Sequence, residues 1–338
     1  MTTSCVTSFN LPAFALALVL ATSCTSRPAS SVRLAVGGQA ALRFFPVYLA
    51  RELGLFEQQG LQVEISDLSG SAKSMQALMG GSADVAAGFY DQTIQMAGEG
   101  RRVRSFVTLT RYLGFVAAVA PGSKRNISRV EDLKGAVVGV AAPGSSGHLL
   151  LNYLLASRGL APSDASVYSI GTGGSAVAAM QRGTVDAGVI GDLVLEPLLR
   201  EKPDLMILAD TRSEAGLQQT FGVATYPGSV LYASAEWLDS HRDSAGKLAR
   251  AMKSSLGWAL EHPPEQTLEK LQRVYPAEDR SILLAALRST IAILSPDGVM
   301  APDGPEAVKR VLSVSLEKVR TGHIDTAGTY TNEFVAGR

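Results

Sequence analysis

A strand–helix–strand–helix–strand order runs through this chain twice, and that repetition limits what it can fold into. In the first copy residues 32–36 are a short β-type run ending in Gly37-Gly38, and a helical stretch over about 44–53 closes on Gly54. LQVEIS (61–66) then alternates as a strand does, residues 72–79 read as a helix, and residues 84–87 open another strand. The second copy is AVVGVA (136–141), HLLLNYLLASRG (148–159), SVYSI (166–170), SAVAAMQRG (175–183) and VDAGVI (185–190). The best self-match sets ALMGGSAD (77–84) beside AMQRGTVD (179–186), with Gly81 over Gly183 and Asp84 over Asp186 at a spacing of 102. Strands alternating with helices of this length require right-handed crossovers and parallel sheets, so the expectation is an α/β protein with two similar lobes. Each glycine of the GxxD pair is expected to end its helix and turn the chain into the next strand.

Two β-rich segments join the units. RSFVTLTRYLGFVAAV (104–119) leads out of the first and TFGVATYPGSVLYA (220–233) leads back, the paired crossing that a hinge between lobes requires. After residue 234 the chain reads as helices punctuated by Pro263-Pro264, Pro276, Pro296 and Pro302, and Trp237 and Trp258 are expected in the core where those helices pack on a lobe.

With 338 residues, 46% of them hydrophobic, the chain can build one large core or two smaller ones. Its 31 basic side chains balance 31 acidic ones with no long basic run, which leaves no electrostatic footprint for nucleic acid or an anionic membrane surface. A charged ligand must therefore be recognised locally. The first charged residue is Arg27, and LPAFALALVL (11–20) is too short to span a bilayer, so it reads as a secretory signal core. LATSC (20–24) resembles a bacterial lipobox; the expectation is a signal peptide over 1–23, a lipid on Cys24 and a tether over 24–31. Cys5 and Cys24 are the two cysteines, so a chain cleaved there holds no intrachain disulfide. The four histidines (148, 241, 262, 323) lack metal-site spacing, and neither GxxxxGK[ST] nor GxGxxG occurs, so the chain reads as a binder with no cofactor or metal and not as an enzyme.

In open parallel sheets ligands sit outside the carboxyl ends of the strands. Applied to both units, that rule selects the loops at 38–42, 68–72, 88–91, 142–148, 171–175 and 191–193. Three of them are small-residue turns opening helices: Ser69-Gly70-Ser71, Ser145-Ser146 and Gly173-Gly174. Free backbone N–H groups and the positive end of the helix dipole suit an anion there, although serine is also the ordinary N-cap. His148 can donate to an oxyanion, Phe89 with Tyr90 can wall a pocket, and Asp91 and Asp192 stand at matching places as acceptors. Gln39 lies on the first strand-to-helix loop, with Arg43, Arg111 and Tyr112 near the same loops. The expected ligand is a small organic anion.

The run PVYLARELGLF (46–56) with GLQV (60–63), Leu78 through Gly81 to Asp84, VEDLKG (130–135), PGSS (143–146) and Gly183 through Asp186-Ala187 is similar to the solute-binding proteins of nitrate, sulfonate and taurine ABC importers. That family also includes binders of thiamine pyrimidine precursors. The resemblance covers roughly residues 32–260 and implies a type II periplasmic-binding-protein fold, a two-lobed Venus flytrap. One lobe would be 32–120 plus 221–338 and the other 121–220, with C-terminal helices completing the first. It further implies a monomer in the periplasm or cell envelope that closes on its solute and hands it to an ABC permease. A thiamine-precursor pyrimidine binder, or a ligand sensor of the same fold, is the alternative.

Overall fold

The computed structural model describes residues 1–2 and 31–336, so the expected signal segment, Cys24 and nearly all of the tether lie outside the described residues. The first unit runs β1 (Ser31–Val36), α1 (Phe45–Glu52), α2 (Leu55–Gln58), β2 (Gln62–Asp67), α3 (Ser71–Met79), β3 (Val85–Phe89), α4 (Tyr90–Gly98) and β4 (Val103–Thr108). The second runs β5 (Val116–Val119), β6 (Val137–Val140), α5 (Ser146–Ser157), β7 (Ser166–Ser169), α6 (Gly174–Gln181), β8 (Ala187–Ile190), α7 (Asp192–Glu201), β9 (Ile207–Asp210) and α8 (Glu214–Phe221). Then β10 (Ser229–Ser234) returns, followed by α9 (Ala235–Ser240), α10 (Arg242–Glu261), α11 (Pro264–Lys270), α12 (Arg280–Ile291), α13 (Gly304–Ser313) and α14 (Glu317–Thr321).

Two five-stranded sheets result, in the orders β2-β1-β3-β10-β4 and β7-β6-β8-β5-β9. In the first, β1 pairs parallel with β2 and β3, and β10 lies antiparallel between β3 and β4. The second repeats this, with β6 parallel to β7 and β8 and β5 antiparallel between β8 and β9. Each lobe thus takes its one antiparallel strand from the segment that has just crossed the hinge. The fold is the expected two-lobed α/β arrangement with a parallel-rich sheet in each lobe. One border moves: residues 116–119, expected in the first lobe, pair as β5 in the second sheet, so the crossing falls at 109–115.

The repeated GxxD element has a double structural role. Gly81 and Gly183 have φ of +72° and +68°, and each follows a helix whose end closes in the same way. The N–H of Ser82 bonds to the carbonyl of Ala77 at 3.0 Å, and that of Thr184 to the carbonyl of Ala179 at 3.0 Å, the long-range bond of a Schellman turn. Asp84 then accepts the backbone N–H of Arg33 on β1 at 2.8 Å, and Asp186 accepts that of Val137 on β6 at 2.9 Å. The same residue ties the turn to the first strand of its lobe in both halves.

The crossings at 109–115 and 211–228 are bonded to each other. Thr211 Oγ1 donates to the Phe115 carbonyl at 2.8 Å and accepts the Phe115 N–H at 2.9 Å, while Thr110 Oγ1 accepts the Ser229 N–H at 2.8 Å. A Cβ on Gly228 would lie 2.1 Å from the Tyr112 carbonyl oxygen, so only glycine lets the two segments approach. Among the C-terminal helices, α10 packs on α1 and α2, and α13 and α14 pack on α4. Helix α12 reaches across to α7 of the other lobe. Trp237 and Trp258 are half-buried and not in the core: each lies flat on the histidine four residues on, with ring planes 7° apart at His241 and 10° apart at His262. Among the described residues no helix is long and apolar enough to cross a membrane.

Candidate functional site

All the loops chosen from the sequence lie at the carboxyl ends of β1–β3 and β6–β8, and the two sets meet where the lobes face each other. A Cβ built on Gly70 would sit 3.9 Å from the Ala142 Cβ, and one on Gly173 3.6 Å from the Ala40 Cβ, so the small-residue turns approach the opposite lobe backbone to backbone. Between them is a narrow cavity of about 20 Å³, room for about one water molecule. Its lining includes Ala40, Arg43, Phe115, Gly171, Thr172, Gly191 and Asp192.

Arg43 dominates this space. It is the middle residue of a short 3-10 turn (Leu42–Phe44) before α1, in the otherwise apolar run ALRFFPVYLA, and is 3% exposed. Its guanidinium lies over the Phe115 ring at 4.1 Å from the centroid and 5.5 Å from that of Phe89. Nη1 donates to the Gly114 carbonyl at 2.6 Å, and Nε has no partner. Two glycines make room for it: a Cβ on Gly114 would lie 2.8 Å from Arg43 Cδ, and one on Gly191 2.9 Å from Nη2. Burial lowers its pKa to about 10, against the attraction of Asp192, while Arg212 adds repulsion. Among the described residues no carboxylate makes an ion pair with it, so a buried cation is left short of both charge and one acceptor.

Asp192, at the N-terminus of α7, is the one residue of the expected ligand set that lines the cavity. Both its oxygens are engaged: Oδ1 with Arg212 Nη1 at 3.3 Å and Oδ2 with Thr290 Oγ1 of α12 at 3.0 Å. Burial works against the Arg212 charge, but hydrogen bonds and the charges of Asp210 and Asp192 more than offset it and raise its pKa. Arg212 is therefore already neutralised, whereas Arg43 is not.

The other expected residues have local or structural partners. Gln39 is half-buried; its side chain donates to the Val274 carbonyl and its own carbonyl accepts from Tyr275 Oη at 2.9 Å. Ser69 is exposed, with φ +52°, and Asp67 Oδ1 accepts its N–H at 3.3 Å and that of Gln39 at 3.0 Å, holding two cleft loops together. Gly70, with φ +158°, and buried Ser71 open α3 against Gly37, whose Cβ would lie 2.8 Å from Ser71 Cα. Ser145 caps α5 by accepting the His148 N–H. His148 Nδ1 accepts the Gly144 N–H at 2.9 Å, and burial lowers its pKa, which together favour the neutral ring with its proton on Nε2.

The Phe89-Tyr90 pair splits at the strand-to-helix junction. Phe89 joins Arg43 and Phe115, at 5.1 Å between ring centroids. Tyr90 turns into its own lobe, where its hydroxyl meets Thr329 Oγ1 at 2.5 Å, so it does not wall the cleft as expected. Asp91, fully buried, accepts from Ser146 Oγ at 2.7 Å and bridges the lobes. Gly173 and Gly174 open α6 beside cavity-lining Gly171 and Thr172. Arg111 is exposed and Tyr112 half-buried on the hinge, neither lining the cavity. Phe115, Arg212 and Asp67 escaped the sequence reading, and Gly191 stood there only as part of the 191–193 loop; the one signal for the site's main charge was an arginine inside an apolar helix-opening run.

The chain is similar to several known proteins. A family model described as NMT1/THI5 like matches residues 42–266. A solved structure from Bordetella bronchiseptica RB50 superposes with a TM-score of 0.84 at 31% identity, covering 91% of this chain and 96% of that one. The alkanesulfonate-binding protein SsuA from Xanthomonas axonopodis pv. citri, bound to MOPS, superposes with a TM-score of 0.69 at 18% identity, covering 90% of this chain and 98% of that one. A Haemophilus influenzae protein named for thiamine biosynthesis is 26% identical over 222 residues, which span 65% of this chain and 66% of the relative. The fold is that of the periplasmic binding proteins.

Proposed function

The chain belongs to the NMT1/THI5-like family, and from that premise we propose that it is an extracytoplasmic solute-binding protein of an ABC importer, capturing a small organic anion of sulfonate or carboxylate type. One observation carries the choice of an anion: Arg43 lines the interlobe cavity, is buried, and among the described residues has an unpartnered Nε and no carboxylate paired to it. A ligand anion would supply the missing charge and acceptor, and a hydrogen bond to a charged group contributes about 1.5–3 kcal/mol. The N-terminus of α6 at the cavity edge adds backbone donors. Phe115, which lines the cavity, offers aromatic surface to the body of the solute.

Capture follows from the lobes. A solute that bonds to Arg43 from one lobe and to the α6 turn from the other has more contacts in the closed state than in the open one, and that difference shifts the population to closure. Delivery then requires a permease that favours the open state. A pyrimidine is the second reading, favoured by the relative named for thiamine biosynthesis and by the flat surface Phe115 gives beside the guanidinium.

A thermal-shift screen tests the anion assignment, because a ligand well above its Kd raises Tm. Ethanesulfonate, benzoate and nitrate should include a stabiliser, while dimethyl sulfone, benzamide and ethylammonium should not stabilise. Stabilisation confined to the neutral or cationic compounds contradicts it.

A further inference from the structure

We propose that Asp91 and Ser146 form a proton-coupled latch, in which closing the lobes buries the Asp91 carboxyl and takes up a proton, so that the closed receptor is favoured as pH falls. Asp91 stands in the first turn of α4, on the first lobe, and Ser146 begins α5, on the second. Their side chains meet at 2.7 Å with both residues at 0% exposure, a hydrogen bond that exists only while the lobes are together. Among the described residues, buried Asp91 Oδ2 has no side-chain hydrogen-bond partner.

The surroundings supply no compensating charge. Among the described residues no cationic side chain pairs with Asp91. From β10 and the segment before it, Tyr232 and Tyr226 face the carboxylate; burial and its charge raise the pKa of both phenols. On α4, Gln92 gives a backbone hydrogen bond and its side-chain oxygen accepts from Tyr232 Oη at 3.2 Å. On α5, Ser146 donates, and His148 lies two residues on with its pKa lowered by burial. Burial pushes Asp91 up to about 7, against the hydrogen bonds from Ser146 and Gln92.

Opening the lobes returns the carboxyl to water and to the ordinary range near 4. The folded closed state therefore binds the proton more tightly than the open state. Its advantage is complete below about pH 4 and falls up to tenfold per pH unit until it is gone above about 7. Between pH 5 and pH 8 the closed-to-open ratio should fall on the order of a hundredfold.

Small-angle X-ray scattering of the full chain at pH 5 and pH 8 reads this directly and uses no solute, so its outcome is independent of the anion assignment. The wild type should expand at pH 8, whereas Asp91→Asn, neutral at every pH, should stay compact at both. Ser146→Ala keeps the carboxyl but removes its interlobe donor, and should be expanded relative to wild type at pH 5. Selective ¹³C labelling of aspartate, with Asp91→Asn identifying the resonance, should show a carboxyl titrating well above the ordinary range. Scattering of the wild type that does not change with pH, an Asp91→Asn protein that expands as the wild type does, or an Asp91 resonance titrating near 4 overturns the proposal.

Discussion

At the scale of single residues the cleft is arranged around one cation. A buried guanidinium short of an acceptor costs free energy in the empty site and returns it when an anion binds. Its position depends on the absence of side chains at Gly114 and Gly191, whose Cβ atoms would meet Arg43 at 2.8 and 2.9 Å. Gly191→Ala has an ordinary backbone conformation to fit, with φ −106°, so its effect should come through Arg43 and not through strain. The expected cost in stability is about 1–3 kcal/mol from overpacking. The stabilisation given by the best anion of the thermal-shift panel should shrink at least tenfold in affinity. Unchanged anion affinity in Gly191→Ala would show that the guanidinium is not where the solute binds.

At the scale of elements the two halves share one device, the GxxD turn, but differ in what surrounds it. A Cβ on Gly81 meets nothing within 4 Å, whereas one on Gly183 would lie 2.2 Å from the Gly122 carbonyl oxygen. Both positions are left-handed, so alanine costs about 1–2 kcal/mol at either. Gly183→Ala must also displace backbone, and the urea midpoint should fall clearly further for it than for Gly81→Ala; equal midpoints would mean that the Gly122 contact relaxes freely. The elements themselves were legible because their apolar periods differ, 3.6 for α3 against 2 for β2, while α5 is a continuous apolar run too long for a strand. The sheet that owns β5 was not, because residues 104–119 form one β-rich run and strand propensity says nothing about partners. The tryptophans misled for a related reason: bulk suggests burial, but Trp237 and Trp258 sit at helix ends where a histidine ring covers one face.

At the scale of the molecule the lobes are joined by more than the hinge. Helix α12 reaches from the first lobe to Asp192 and Glu196 of α7, with Thr290 Oγ1 donating to Asp192 at 3.0 Å and Ser289 Oγ to Glu196 at 3.4 Å, while Ser146 and Asp91 meet on another part of the seam. Each such bond contributes about 1.5–3 kcal/mol net where the carboxyl is charged and less where it is protonated, small enough for a solute and a permease to shift the balance between them. The cleft loops could be read from the sequence because they follow from strand order and parallel topology. The side chains that fill the cleft could not, because Arg43 and the Gly114 carbonyl it binds are 71 residues apart and meet through the hinge. The small-residue turns instead supply close backbone approach between the lobes.

Calorimetric titration of wild type and Arg43→Gln with the anion that stabilises best, and with its neutral counterpart from the same panel, tests the central claim most directly. The wild type should bind the anion and not the neutral compound, and Arg43→Gln should lose about 10–100-fold in affinity, the worth of a charge-assisted hydrogen bond. Equal binding of the neutral counterpart, or an Arg43→Gln protein that binds the anion as tightly as the wild type, would contradict an anion receptor built on Arg43.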